Sequence, residues 1–310
     1  MIDFSIFYKK RILLRDLAMD SFDLFISCFD KSERVQKVFE NVRASSKKWL
    51  ISPRYAFSPG ELPDDNFQLL EADESTFIKT FFDGVGDLTQ KKICVDITGF
   101  LKPELLFIFY YLQFKGVKTV QVLYAEPNSY QAGHQTSFTN GVHMETRSIQ
   151  GYEGNHKLDN SNDFLIIGFG YDHDLVSLVT KHKPQTKKVS LFGLPSLQAD
   201  MYQQSRIRAS EVKQDVEDFA RIIFAPANDP FITANVISDT IKEYNSKSPI
   251  SNIYLAPLGT KPQALGFALY YLFGASDQSI SVVYPFTKEY PPGRSIGISK
   301  VWQYSIELPS

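Results

Sequence analysis

Residues 93–130 of this 310-residue chain align without a gap onto residues 253–290, and this internal match restricts the possible folds more than any other feature. Ten positions are identical: Ile93/Ile253, Gly99/Gly259, Leu105/Leu265, Phe107/Phe267, Tyr110-Tyr111-Leu112 over Tyr270-Tyr271-Leu272, Val122/Val282, Tyr124/Tyr284 and Tyr130/Tyr290. Each copy reads as an apolar strand (Lys92 to Ile97; Asn252 to Pro257), a glycine turn, a helix (Pro103 to Lys115; Pro262 to Gly274) and a second strand (Thr119 to Tyr124; Ser279 to Tyr284). Pro103 and Pro262 suit a first helical turn, where the missing N–H would have had no partner. A second match, at an offset of 140, pairs Asp23-Leu24-Phe25-Ile26 with Asp163-Phe164-Leu165-Ile166 and Lys47-Lys48 with Lys187-Lys188. The difference between the offsets is assigned to one additional β-α element in the second half, the run Ala220 to Ala225 with the helix after Pro230.

The expected fold class is therefore α/β, an internal duplication of two lobes with mostly parallel sheets flanked by helices. The first lobe spans 20–130, a polar connector 131–162, linker or hairpin, and the second lobe 163–310. The alternating segment Lys300 to Leu308 supplies a C-terminal strand that could cross back to the first lobe.

Composition is that of an ordinary folded protein, with 43% hydrophobic and 22% charged residues. Thirty-three basic against thirty-five acidic residues give a net charge of −2, so duplex DNA held on a broad basic surface is not expected. Cys28 and Cys94 lie in apolar runs and are expected as buried thiols. The longest apolar run, Leu105 to Leu112, is far below the roughly 20 residues that span a bilayer. No membrane association and a cytoplasmic location are expected.

In an open parallel sheet, ligands settle beyond the carboxyl ends of the strands, where turns and helix N-termini offer backbone N–H groups to anions. The candidate binding residues lie on four such turns. Ser27, Phe29 and Asp30 follow the first strand, with Ser32 as N-cap of a helix Glu33 to Val42; Gly168 and Gly170 stand at the equivalent turn of the second lobe. Thr98, Gly99 and Lys102 form the later turn of lobe one; Gly259, Thr260 and Lys261 form that of lobe two. Glycine, hydroxyl and lysine at a helix start can give one phosphate a close backbone approach, a donor and a positive charge. The competing structural role is a plain strand-to-helix turn with a solvated lysine. Position 173 is His, not Gly, so the dinucleotide fingerprint is incomplete, and a P-loop is absent. His134, His143 and His156 lack metal-ligand spacing, and no metal or other cofactor is expected; Asp172, His173 and Asp174 could supply an acid and a base, but acidic residues at a helix start commonly serve the helix dipole, which is the preferred reading. Tyr124 and Tyr284, at strand ends, are candidates for stacking on a base or ribose.

The strand ending in Ser27 to Asp30, the run Asp96-Ile97-Thr98-Gly99 with Lys102, and the repeat Leu258-Gly259-Thr260-Lys261 resemble the CRISPR-associated Rossmann-fold (CARF) sensor family. The arrangement is also similar to the related SAVED sensors. The resemblance implies two tandem Rossmann-like lobes forming a pseudo-dimer and a cyclic oligonucleotide or other phosphate-bearing small molecule as ligand. It further implies antiviral signalling through a separate effector protein chain, since about 20 residues flank each end of the lobes. Lobe one departs from the pattern, with Phe100 where lobe two has a hydroxyl and the lysine one place later. The preferred expectation is a nucleotide-signal sensor or accessory subunit without catalysis. The alternatives are a ring nuclease using Lys261 and Ser27, a TIR-like NAD hydrolase with Glu74 as its loosely placed acid, and a non-catalytic scaffold subunit.

Overall fold

The computed structural model describes residues 3–4, 7–58, 60–130, 143–170, 172–198, 219–274, 279–291, 293 and 295–309. The chain divides into two compact units, Phe7–Asn140 with Lys288–Ser310, and Met1–Ile6 with Gly141–Thr287. The former is the first unit and the latter the second.

The first unit contains β1 (Tyr8–Ile12), β2 (Ser21–Cys28), α1 (Glu33–Asn41), β3 (Arg43–Ile51), β4 (Asn66–Gln68), α2 (Glu74–Val85), β5 (Ile93–Asp96), α3 (Lys102–Phe114), β6 (Thr119–Glu126) and β7 (Ser129–Tyr130). Chain order then passes through the second unit: β8 (His143–Ser148), β9 (Phe164–Gly168), α4 (His173–His182), β10 (Lys187–Gly193), β11 (Phe219–Ala225), α5 (Pro230–Lys247), β12 (Ile253–Pro257), α6 (Lys261–Gly274) and β13 (Ile280–Thr287). It returns to the first unit with β14 (Ser295–Ile296) and β15 (Lys300–Glu307).

The seven-stranded sheet of the first unit runs β1-β15-β6-β5-β2-β3-β4, and the six-stranded sheet of the second runs β11-β10-β9-β12-β13-β8. From β4 to β6, and from β11 to β13, every neighbouring pair is parallel. An antiparallel strand, β15 or β8, then covers the last parallel one. Both sheets therefore share one strand order, with the chain reversing its direction of travel between β2 and β5 in one and between β9 and β12 in the other. This is a mixed α/β architecture with mostly parallel strands and six α-helices among the described residues.

Burial explains the strand sequences. β5, reading Ile-Cys-Val-Asp, and β9, reading Phe-Leu-Ile-Ile-Gly, are buried at every position, as strands covered on both faces must be. α3 and α6 are apolar nearly all round and run deep against the sheets, with Leu105, Phe107, Leu265 and Phe267 at or below 1% exposure. Cys28 and Cys94 are buried free thiols; burial pushes the Cys94 thiol well up. No helix among the described residues is long and apolar enough to cross a membrane.

The closing strand, grouped with residues 163–310 but expected to be able to cross back to the first lobe, does cross back: β15 lies in the sheet of the first unit, where Val301 pairs with Ala125 and Tyr304 with Val122. Two other expectations change. The connector 131–162 supplies a strand rather than only a link, since β8 pairs antiparallel with β13; residues 131–142 lie outside the described residues. The Phe219–Ala225 strand is not additional, because β4 and α2 occupy the same places in the first unit. Three-residue β4 carries no alternation long enough to read from sequence.

Candidate functional site

The first unit's switch point is sealed by its own polar side chains. Ser27, at the end of β2, donates its hydroxyl to Asp96 Oδ2 at 3.0 Å, and the other Asp96 oxygen accepts the Thr98 N–H at 2.9 Å. The Thr98 hydroxyl accepts from the Ala125 N–H at 3.0 Å. All three residues are fully buried. Burial raises the Asp96 carboxyl to about 6, against the opposing pull of hydrogen bonds from Thr98 and Ser27 and the Arg34 charge. Arg34, buried on α1, gives Nε to Ser295 Oγ at 2.8 Å and a terminal nitrogen to the Ala125 carbonyl at 2.7 Å. The Asp30 carboxylate folds onto the Ser32 N–H at 2.7 Å and also accepts the Ser32 hydroxyl, so Ser32 is the N-cap of α1 without using its side chain as a cap. Phe29 packs edge-on against Trp49, with ring centroids 5.4 Å apart, inside the local core.

Gly99 is needed for close approach: a Cβ there would sit 1.8 Å from the Cys28 carbonyl oxygen. Its own carbonyl accepts the Tyr55 hydroxyl at 2.6 Å, and burial with the nearby Cys28, Asp30 and Glu104 pushes the Tyr55 phenol up, keeping it a donor. Glu104 takes the Leu101 N–H at 3.2 Å and the Ser52 hydroxyl, closing the start of α3. Lys102, half-buried, is the first residue of that helix.

The second unit repeats the crossing with different groups. A Cβ on Gly170 would meet the Leu258 carbonyl oxygen at 2.3 Å, and one on Gly168 the Phe267 ring at 3.1 Å. Gly259 is closed over by the Gln263 amide, 2.5 Å from its ideal Cβ. Thr260 and Gln263 cap α6 reciprocally: the Thr260 N–H reaches Gln263 Oε1 at 3.2 Å, and the Gln263 N–H reaches Thr260 Oγ1 at 3.3 Å. The Thr260 hydroxyl donates to the Ala227 carbonyl. Lys261, half-buried, is the first residue of α6, so the one-place sequence offset between the lysines disappears: each opens its helix.

The hydroxyls of Ser27 and Thr260 are thus engaged inside the protein. What stays unpaired at the corners is backbone. The N–H groups of Gly99 and Phe100 in the first unit, and of Gly170 and Gly259 in the second, have no hydrogen-bond partner among the described residues. Buried backbone donors are almost always paired, so such a cluster is receptive to an acceptor, and beside a lysine at a helix N-terminus it favours an anion.

Tyr124 and Tyr284 are 3% and 2% exposed and belong to the core, which removes them as stacking platforms. They fail because their strands are covered on both faces. Glu74, the first residue of α2, is 3% exposed. Tyr171 and the His173 side chain lie outside the described residues, as does His134; Asp172 is the N-cap of α4. Sequence reasoning missed Tyr55, Arg34, Glu104 and Gln263. Only Gln263 had a local signal, the Thr-x-x-Gln spacing of a capping box.

No protein-family model matches the chain, and no curated protein matches it. Among solved structures, a SAVED/CARF-domain containing receptor, Cap4 of Acinetobacter baumannii bound to the cyclic trinucleotide 3'3'3'-cAAA, is similar at 11% identity and a TM-score of 0.31. The match covers 79% of this chain and 50% of that one, so this chain spans about half its length. A likeness of this size decides neither fold nor ligand.

Proposed function

We propose that the chain is a binding module for a phosphate-bearing, nucleotide-like signal, received at the carboxyl-end corner of each unit's parallel sheet. The observation that carries this reading is the recurrence, in both units, of buried backbone N–H groups without partners beside a lysine that opens the next helix. A cation at a helix N-terminus opposes the helix dipole, by roughly 0.3–1 kcal/mol at an exposed site. An anion seated on the same turn reverses the sign of that term for both the lysine and the amides. The Ser27 hydroxyl is committed as a hydrogen-bond donor to Asp96 and is fully buried, which favours binding over cleavage through a Ser27–Lys261 pair as the simpler role. A cyclic oligonucleotide as the particular signal and an antiviral effector as a separate chain are parts of the proposal that the sequence resemblance supplies, and a duplicated ancestral lobe as the origin of the two corners is the part that the internal match supplies.

Titration calorimetry against cyclic oligonucleotides, linear oligonucleotides and mononucleotides tests it. At least one member is expected to bind saturably, and the Lys102→Ala/Lys261→Ala double variant to weaken it about tenfold or more, the loss of a charge-assisted contact. Silence across the panel contradicts the reading.

A further inference from the structure

The second unit carries a cavity of about 530 Å³ at the other end of its sheet, where β12 begins at Ile253 and Ser279 leads into β13. Its volume falls within the range of roughly 300–1,000 Å³ common to small-molecule sites. One face of α5 forms a wall, with Ile241 and Lys242 among its residues, and the last turns of α6 form another with Tyr270 and Phe273. Tyr270 is 6% exposed, yet its hydroxyl has no hydrogen-bond partner among the described residues. The oxygen is not among the fully buried atoms that lack a partner, so the ring is buried while its hydroxyl stays accessible for an acceptor. Burial pushes this phenol up, so it is a donor at any physiological pH. Lys157 and Lys242 line the same cavity while exposed to solvent, which puts two cations at its mouth. Lys242 lies 3.3 Å from Asp239, an exposed pair of little strength, and Lys157 feels Asp159, itself occupied by Ser161 and Ser251.

We propose that this cavity is a second ligand site, separate from the switch-point corners, for an amphiphilic anion. An apolar or aromatic body would lie against Ile241, Ile253 and Phe273, and a single acidic group would take the Tyr270 hydroxyl and the two lysines. The apolar wall selects for the body and the donors select for the charge; an inorganic anion has nothing to fill the volume, and a neutral hydrocarbon leaves Tyr270 unpaired.

The probe is 8-anilinonaphthalene-1-sulfonate, an aromatic body with one acidic group, titrated into the full chain and followed by fluorescence. Saturable binding of one dye per chain is expected, displaced by decanoate. The Lys157→Ala/Lys242→Ala variant, altered only at exposed positions, should weaken it roughly tenfold. Tyr270→Phe should weaken it as well while leaving the circular dichroism unchanged, and Lys102→Ala/Lys261→Ala should leave it as in the parent chain, which separates this site from the corners. Absence of saturable binding, or an affinity unchanged by the Lys157/Lys242 pair of substitutions, overturns the proposal.

Discussion

Gly99 and Gly84 separate two uses of the same residue. Gly84 lies near the end of α2 with nothing within 4 Å of its ideal Cβ, whereas Gly99 presses on the Cys28 carbonyl. Gly84→Ala is expected to stabilise the chain by up to about 1 kcal/mol through helix propensity. Gly99→Ala should cost at least about 3 kcal/mol, since backbone must move to admit a methyl group; urea melts of the two variants compare them directly. Asp96 gives a pH test. Its folded value of about 6 lies above the ordinary 3.8, so its contribution is fully present below about pH 4 and is lost as pH rises through 6. Asp96→Asn can keep the Thr98 contact and donate to Ser27, and it does not titrate. Relative to that variant, the parent chain should lose about 2 kcal/mol between pH 4 and pH 7, read from denaturation at a series of pH values. A parallel pair of curves would contradict the buried-carboxyl account. Residue identity alone did not reveal these roles. Ser27 and Thr260 are the right chemical types for phosphate contacts, but their partners, Asp96 and the Ala227 carbonyl, are 69 and 33 positions away in sequence.

At the scale of elements, the repeated strand-turn-helix-strand was legible because β5-α3-β6 and β12-α6-β13 each carry a continuous local pattern. Pro103 and Pro262 fall in the first turns of their helices, as their missing N–H requires. The pairing of β15 was not legible in the same way: alternation shows that a strand is partly buried, while its partner depends on register against a strand 176 residues earlier, where Trp302 reaches Glu126. α5 offers a clean local prediction. Asp229 caps it by accepting the Phe231 and Ile232 N–H groups at 3.1 and 3.0 Å, with Pro230 behind it. Asp229→Ala should lower stability by about 1 kcal/mol, and Asp229→Ser should recover most of the loss in thermal melts.

Across the whole molecule, each unit builds a mostly parallel sheet with one strand order and one reversal point, and the order itself places two strand-end turns side by side. In the first unit this depends on the end of the chain. β15 stands between β1 and β6, so ending the chain after Ser299 strips partners from both. Such a truncation is expected to make Phe7–Asn140 rapidly cleaved in limited proteolysis. Whether the strand-end corners receive a phosphate-bearing ligand is read out by hydrogen exchange and mass spectrometry with and without each nucleotide of the panel. Slowed exchange is expected in peptides spanning residues 96–104, 257–264 or both on addition of at least one nucleotide. Exchange in those segments that no nucleotide alters, or protection confined to other parts of the chain, would contradict it.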